Sequence, residues 1–110
     1  MTHTDRFEFR AWYDGRFIYK NVWDSGYYTE DNKCIGSAND LPNTLYWEQC
    51  IGKRDKNGKR IYDNDIVTDG EDNGRIYWEN TGWACTMFLW QKKPEDLEVI
   101  GNIHQNSDLL

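Results

Sequence analysis

The sequence predicts an all-β protein in which short strands and hairpins form a small SH3-like barrel or a sandwich. Three observations favour this fold class. Short runs of β-prone residues recur between turn signals, and no stretch keeps a helical period of apolar residues over three turns. The chain also holds 6 Trp and 7 Tyr, which favour strands and bury a large area per side chain. Its 110 residues correspond to one domain, so we expect a single domain over residues 1–110.

The N-terminal part is predicted to form a hairpin. In "RFEFRAW", Phe7, Phe9 and Ala11 alternate with charged residues, and "YDGR" supplies an Asp-Gly turn before "FIY" resumes the strand pattern. Residues 25–44 differ, because "DNK", "GSAND" and "LPN" are loop sequences and Pro42 excludes a central strand. We therefore expect an irregular insert there, followed by the β-prone "LYWEQCIG".

The stretch "KNGKRIYDNDIV", residues 56–67, combines a turn signal with a strand pattern. Asn57-Gly58 is the strongest short hairpin signal, because a two-residue type I′ turn needs positive φ at both central residues. The run "IYDNDIV" is then predicted to continue as a strand. The sequence thus indicates a hairpin with a charged tip.

The last third of the chain is predicted to hold three more strands. "DGEDNG" is a turn, and "RIYWE" and "WACTMFLW" are strands joined across "NTG". The second is apolar on both faces, which is typical of a central strand. "KKPED" interrupts the pattern before "LEVIGNI". Because a disordered tail is normally polar to its end, Leu109 and Leu110 predict a C-terminus that folds back onto the domain or a neighbouring subunit.

The charge balance restricts the classes of partner. Nineteen acidic and thirteen basic residues give a net charge of -6, which repels phosphate and disfavours nucleic-acid binding. No apolar run approaches membrane-spanning length, and "MTHTDRFEF" lacks the apolar centre of a signal peptide. We expect a cytoplasmic protein with no membrane partner.

The sequence offers no clustered metal ligands. Cys34, Cys50 and Cys85 are scattered, no CxxC pair exists, and only His3 and His104 could join them. A zinc site needs clustered ligands, so reduced, buried or half-buried thiols are the preferred interpretation. No cofactor is expected.

Two acidic patterns could carry chemistry, and turn formation accounts for both. Asp63 and Asp65 would share one face of a strand and could serve acid–base catalysis, but Asp and Asn also close turns, and no His, Ser or Cys is adjacent in sequence. The stretch from Asp69 resembles a calcium-binding EF-hand loop, yet Asn80 stands where the bidentate Glu is required. We expect turns at both places and no catalytic residues.

A basic cluster surrounds the predicted hairpin and is the candidate interaction surface. It consists of Lys53, Arg54, Lys56, Lys59 and Arg60. Such a cluster could contact phosphate. Charged side chains at a hairpin tip are also commonly solvated, where they discourage pairing between strand edges.

Three stretches carry a resemblance to a known family. "FEFRAWYDG", "IGKRDKNGKRIYDNDIV" and "EVIGNIHQNSDLL" together resemble the YopX family of phage and prophage proteins. One departure is Asn64, which stands where the family usually has Gly; Asn tolerates the left-handed conformation best after Gly. The resemblance implies a small, largely β domain without an assigned activity, so there are no catalytic residues to carry over. The strand order is also similar to that of SH3-like barrels, by analogy.

These observations predict a non-enzymatic accessory protein of a phage or prophage that binds a host or phage protein in the bacterial cytoplasm. Homo-oligomerisation through strand edges or an aromatic surface is compatible with the composition. The alternative is a nucleic-acid-associated module that uses the hairpin at residues 53–60. An enzyme is a third hypothesis, and it needs a concave pocket with converging polar groups.

Overall fold

A computed structural model describes residues 8–22, 25–79, 82–85 and 93–110, and within these it is built from short antiparallel strands. The all-β prediction is confirmed. The strands are β1 (Glu8–Tyr13), β2 (Arg16–Asn21), β3 (Gly26–Tyr28), β4 (Cys34–Ser37), β5 (Glu48–Arg54), β6 (Arg60–Tyr62), β7 (Asp65–Thr68), β8 (Asn73–Glu79), β9 (Gly82–Cys85) and β10 (Glu98–Asn102). One-turn 3-10 helices cover Ala38–Asp40, Pro94–Asp96 and Ser107–Leu109.

The strands form two sheets. The first has six strands in the order β4-β3-β2-β1-β5-β6, and the second has four in the order β10-β7-β8-β9. Over the described ranges neither order returns to its first strand, so the sheets stay open and no closed barrel is formed. In this part of the chain no helix is long and apolar enough to cross a membrane.

The predicted N-terminal hairpin is confirmed. β1 and β2 pair in register from Glu8↔Asn21 to Tyr13↔Arg16. The turn residues Asp14 and Gly15 have φ of 55° and 79°, the positive values at both positions that define a tight two-residue turn. The turn fixes the register, which decides the side chains that share each face of the sheet.

Residues 25–44, predicted as an irregular insert, contain the two strands that extend the first sheet. β3 pairs with β2 at Tyr19↔Tyr28 and with β4, where the register shifts at Tyr28. Ser37 accepts a hydrogen bond from Asn39 N and begins the short 3-10 helix. Pro42 lies outside any strand, as predicted.

The stretch "IYDNDIV" is divided between the two sheets, so the prediction of one continuous strand is wrong. Asn64, with φ of 70°, turns the backbone between β6 and β7. The resemblance anticipated this left-handed position. β6 ends the first sheet, whereas β7 lies inside the second, so this turn joins the two sheets.

The main apolar core lies on the second sheet and on the strand that leads into it. Its buried members are Ile61, Val67, Ile76, Cys85, Leu97 and Val99, with Ile51 and Trp83 packed against them. β9 is the last strand in the described order of its sheet, and residues 86–90 of the predicted apolar strand lie outside the described residues. The central position predicted for this strand is thus not what residues 82–85 show.

The C-terminal tail docks through one of its two leucines. Leu109 is half-buried, and its carbonyl oxygen accepts a hydrogen bond of 2.9 Å from Asn73 Nδ2 on β8. Leu110 remains 58% exposed. The tail therefore folds back on its own domain, as predicted, without burying both apolar side chains.

Candidate functional site

A cleft of about 1300 Å³ runs across one face of the first sheet. Its floor is formed by aromatic residues of β1, β2 and β6. One end is the turn Thr29–Asn32 between β3 and β4, and the other is the hairpin between β5 and β6. We call this feature the charged cleft; its floor is formed by Trp12, Phe17, Tyr19 and Tyr62, and its ends carry Glu30, Asp31, Arg54, Lys59 and Arg60. Its lining also contains Glu8 and Arg16, the first residues of β1 and β2.

The aromatic floor follows from the register of the N-terminal hairpin. Trp12 pairs with Phe17 and Arg10 with Tyr19, which places these side chains on one face. The Trp12 and Phe17 ring centroids are 5.0 Å apart at 80°, and those of Tyr19 and Tyr62 are 6.1 Å apart. Trp12, Phe17 and Tyr19 are only half-buried. Aromatic surface therefore remains available to a ligand.

A buried ion network lies beside these rings, and two of its members, Arg10 and Asp65, also line the charged cleft. Arg10 Nε donates to Glu48 Oε1 at 2.8 Å, and Arg10 Nη2 lies 2.7 Å from Asp65 Oδ1. The three side chains are 6%, 1% and 2% exposed. The guanidinium carbon is also 4.1 Å from the centroid of the Phe17 ring and 4.7 Å from that of Tyr62. Because Arg10 and Glu48 belong to the first sheet and Asp65 to the second, the network holds the two sheets together.

His104 extends the network to the C-terminal segment. Its Nε2 lies 2.9 Å from Glu48 Oε2, which also accepts a 2.8 Å hydrogen bond from Asn64 Nδ2. The imidazole stacks on the Trp12 ring at 5.4 Å and 2°. A histidine held by a carboxylate can act as a general base. In the described residues, however, no hydroxyl or thiol group lies within hydrogen-bond distance of this ring, so the geometry is that of an anchor for the C-terminal turn.

Burial dominates the protonation of this network. It raises the pKa of Asp65 to about 6, although the charge of Arg10 and a hydrogen bond from Tyr62 N oppose the rise. Burial also works against the charge of Arg10, but attraction to Asp65 and Glu48 outweighs it and raises the Arg10 pKa. Arg10 thus stays charged, while Asp65 titrates closer to neutrality than an ordinary aspartate.

Asp63 and Asp65 do not form a joint acid–base site. Asp63 Oδ2 accepts a 2.6 Å hydrogen bond from the Tyr46 hydroxyl, and this bond raises the pKa of Tyr46 to about 12. Asp65 instead faces Arg10 and accepts from Tyr62 N. Turn formation, the preferred interpretation of the sequence, describes Asp63. The sequence-based interpretation missed that Asp65 links the two sheets, because Arg10 and Glu48 are distant from Asp65 in sequence.

Asp55 fixes the hairpin between β5 and β6. Its Oδ1 accepts from Asn57 N and Lys59 N, and its Oδ2 accepts from Val99 N on β10, each at 2.9 Å. Burial opposes the charge of Asp55, but these backbone N–H groups outweigh it and lower the pKa. The hairpin is therefore held rigidly against β10.

The hairpin turn differs from the predicted type. Gly58 N donates to Asp55 O at 3.0 Å, and Gly58 has the positive φ of 81° that we expected. Asn57 does not adopt positive φ, so the predicted two-residue turn is wrong. The loop has three residues, because Asp55 pairs with Lys59 and Gly58 takes the left-handed position that follows a type I turn.

The predicted basic surface is divided between the two sides of this hairpin. Arg54, Lys59 and Arg60 line the charged cleft. Lys56 points away from it, with Nζ 3.8 Å from Glu98 Oε1 on β10, and Lys53 is exposed outside the cleft. The sequence located the cations correctly on one hairpin but could not show that only three of them share a surface.

The acidic end of the cleft was not recognised in the sequence. Glu30 and Asp31 are exposed on a turn closed by Asn32 N donating to Thr29 O at 2.9 Å. Asn32 has φ of 68°, and the Thr29 hydroxyl donates to the Asp31 carboxylate. The signal for this turn was the Asp31-Asn32 pair, since both residue types favour tight turns.

The EF-hand-like stretch and the three cysteines were the other candidate sites in the sequence. Asp69 Oδ1 accepts from Glu71 N and Asp72 N, each at 2.9 Å, which confirms a turn at the EF-hand-like stretch. In the part of the chain that the structure describes, no three His, Cys, Asp or Glu residues are grouped to hold a metal ion. Cys50 and Cys85 are buried thiols, as expected, whereas Cys34 is exposed, so the expectation of a buried or half-buried thiol is wrong at that position.

The charged cleft and the buried ion network both lie within the residues that one protein-family model matches. The family model described as "YopX protein" matches residues 8–110. No match to a curated protein was found.

Proposed function

Because this chain belongs to the YopX family, we propose that it is a phage or prophage accessory protein that acts without catalysis, by binding another protein in the cytoplasm of a bacterial host. The binding surface in this proposal is the charged cleft. Its occupant is a segment of a partner polypeptide from the host or the phage.

The observation that supports this proposal best is the half-buried aromatic floor between charged ends. Aromatic and arginine side chains are enriched at protein interfaces, where they supply contact area at little cost in conformational freedom. Residues that define the cleft are also held in place. Arg10 packs under the ring of Phe17, and Asp55 anchors the hairpin at one end. Such preorganisation reduces the entropy that binding must overcome.

The charges favour a polypeptide over a nucleic acid. A phosphate backbone that entered the cleft would be attracted by Lys59 and Arg60, but it would meet Glu30 and Asp31 at the other end. The net charge of -6 adds a long-range repulsion. A polypeptide can carry side chains of both signs and so can match both ends.

A nucleic-acid-associated module remains the second candidate, supported by one specific observation. Arg54, Lys59 and Arg60 lie beside the aromatic floor, and proteins that bind single strands combine cations with stacking rings. The two candidates differ in their response to salt, because phosphate contacts give an affinity that falls steeply as salt increases.

The test uses a displayed library of random 12-residue peptides selected on the folded protein, in parallel with a labelled single strand of twenty thymidines. Binding of the selected peptides is then measured for Tyr19→Ser and for Tyr13→Ser. Both tyrosines belong to the N-terminal hairpin and are half-buried, but Tyr13 is not part of the cleft lining. Circular dichroism checks that both variants fold.

The proposal expects selected peptides to lose about tenfold or more in affinity with Tyr19→Ser and to bind Tyr13→Ser normally. The single strand should not bind at physiological salt. Selected peptides that bind Tyr19→Ser as tightly as the wild type would contradict the proposal. It would also be contradicted if no peptide is selected and the single strand binds with a steep salt dependence.

A further inference from the structure

The two loops that end the charged cleft differ in net charge: Glu30 and Asp31 belong to one, and the cations lining the other are Arg54, Lys59 and Arg60, while Glu8 and Arg16 elsewhere in the lining cancel each other. This separation indicates what kind of segment fits. Resting on the proposed function, we propose that the occupant is an extended segment with an acidic side chain at one end, apolar side chains in the middle and a basic side chain at the other. The acidic end contacts the hairpin between β5 and β6, and the basic end contacts the turn Thr29–Asn32.

The hairpin provides the site for the acidic end. Lys59 is exposed beside the half-buried Arg60, and both line the cleft. Arg54 Nη1 donates to Gly58 O at 2.9 Å, which places a third cation against the loop. Because Asp55 fixes the loop to β10, these cations are displayed on a frame that does not have to be ordered on binding.

The turn provides the site for the basic end. Glu30 and Asp31 are exposed at its tip, and both line the cleft. The turn is closed by backbone hydrogen bonds from Asn32 N to Thr29 O and from Thr29 N to Lys33 O, each 2.9 Å. Two adjacent carboxylates on a closed turn attract a lysine or arginine side chain and repel an acidic one.

Tyr19 marks the middle of the cleft. Its ring lies 6.3 Å from that of Phe17 and 6.1 Å from that of Tyr62, so the aromatic floor is continuous. Burial raises the pKa of Tyr19 to about 12; the charge of Glu30 adds to the rise and that of Arg60 opposes it. The hydroxyl therefore lies within electrostatic reach of both ends, while the rings provide an apolar contact between them.

The strand order sets the length of the segment. From β3, which leads into the turn, to β6, which leaves the hairpin, the order of the sheet passes through four strand spacings. At roughly 4.8 Å for each spacing this is about 19 Å across the strands. The hairpin is also displaced along the strands, because Arg54 lies further along β5 than Glu48, the partner of Arg10. An extended segment that reaches both ends therefore needs at least about six residues.

The test uses four fluorescein-labelled eight-residue peptides and fluorescence anisotropy. Each has four central apolar residues including one phenylalanine. The first peptide carries two aspartates before the apolar residues and two lysines after them, and the second has the reverse order. The third carries two aspartates on each side, and the fourth carries two lysines on each side. The wild-type protein should bind one of the two mixed peptides more tightly than either peptide with flanks of a single sign.

Charge variants then assign the ends. Lys59→Gln and Glu30→Gln should each weaken the preferred mixed peptide about two- to fivefold, as expected for exposed charge pairs. Lys53→Gln and Glu71→Gln make the same changes in net charge at exposed positions outside the cleft, and should leave affinity unchanged. Glu30→Lys should shift the preference to the peptide with four aspartates.

The outcomes separate this inference from the proposed function. If a peptide with flanks of a single sign binds at least as tightly as both mixed peptides, and its affinity still depends on Tyr19, the proposed charge arrangement is wrong. Binding of a polypeptide in the cleft would then still stand. Failure of Glu30→Lys to shift the preference would also overturn it. If neither designed nor displayed peptides bind, both proposals are wrong.

Discussion

Replacing Arg10 by methionine tests whether the buried ion network holds the two sheets together. Methionine keeps much of the apolar contact with Phe17 and Tyr62 but removes the cation that neutralises Glu48 and Asp65. Both carboxylates are at most 2% exposed, so neither can be solvated in the folded state. Breaking a buried ion pair by removing one partner costs about 3–5 kcal/mol.

That loss is large for a domain of this size. Total unfolding free energies are about 5–15 kcal/mol, and each kcal/mol corresponds to roughly 3–5 °C in Tm for about 110 residues. We therefore expect Arg10→Met to lower Tm by about 10–25 °C. Urea unfolding followed by the fluorescence of the 6 tryptophans gives the free energy directly.

The matched control is Arg16→Met, since Arg16 is exposed at the start of β2. A surface change of this kind should alter the free energy of unfolding by about 0.5 kcal/mol or less. Arg10 also opposes the rise in the Asp65 pKa, so without it Asp65 takes up a proton more readily and the deficit of Arg10→Met should shrink as pH falls towards about 5. A deficit below about 1 kcal/mol, or one equal to that of Arg16→Met, would refute this reasoning.

Three further predictions concern stability. The folded pKa of Asp65, about 6, exceeds the unfolded value near 4, so the stability this group contributes is present below pH 4 and lost as pH rises through 6. The free energy of unfolding, measured with urea between pH 4.5 and 7.5, should therefore decrease with pH in the wild type and decrease less in Asp65→Asn. An equal decrease in both proteins would exclude Asp65 as its source. Gly58→Val should destabilise the protein by about 1–2 kcal/mol, because Gly58 has a φ of 81° that valine resists. Asparagine tolerates this conformation better, so Gly58→Asn should cost less. Equal shifts in Tm for the two variants would contradict the backbone argument. Deleting residues 107–110 should lower stability by about 1 kcal/mol, since only Leu109 is half-buried and bonded to Asn73; melting equal to the full chain would show that the tail contributes nothing, and sedimentation reports any change in oligomeric state.

Local sequence rules gave correct results where a turn or strand depends on adjacent residues. Asp14-Gly15 formed the tight hairpin turn, and Asn64 adopted the left-handed conformation expected at a position where glycine is usual. The turn at Asn57-Gly58 was assigned the wrong type although its signal was local. Asp55 at the first position and Gly58 at the fourth favour a type I turn, and the side chain of Asp55 stabilises that choice by accepting from Asn57 N and Lys59 N.

The sequence by itself determined the β class, the family and the position of the basic hairpin, because alternation, turn residues and charge act over a few residues. Tertiary structure decided the rest. Arg10, Glu48 and His104 are separated by 38 and 56 residues along the chain, and only the folded sheets bring them into one network. The division of the five cations and the presence of Lys59 and Glu30 in the lining of one cleft depend on strand order and register. A single sequence does not encode strand order locally, because it is set by which pairings bury the most apolar surface in the complete domain.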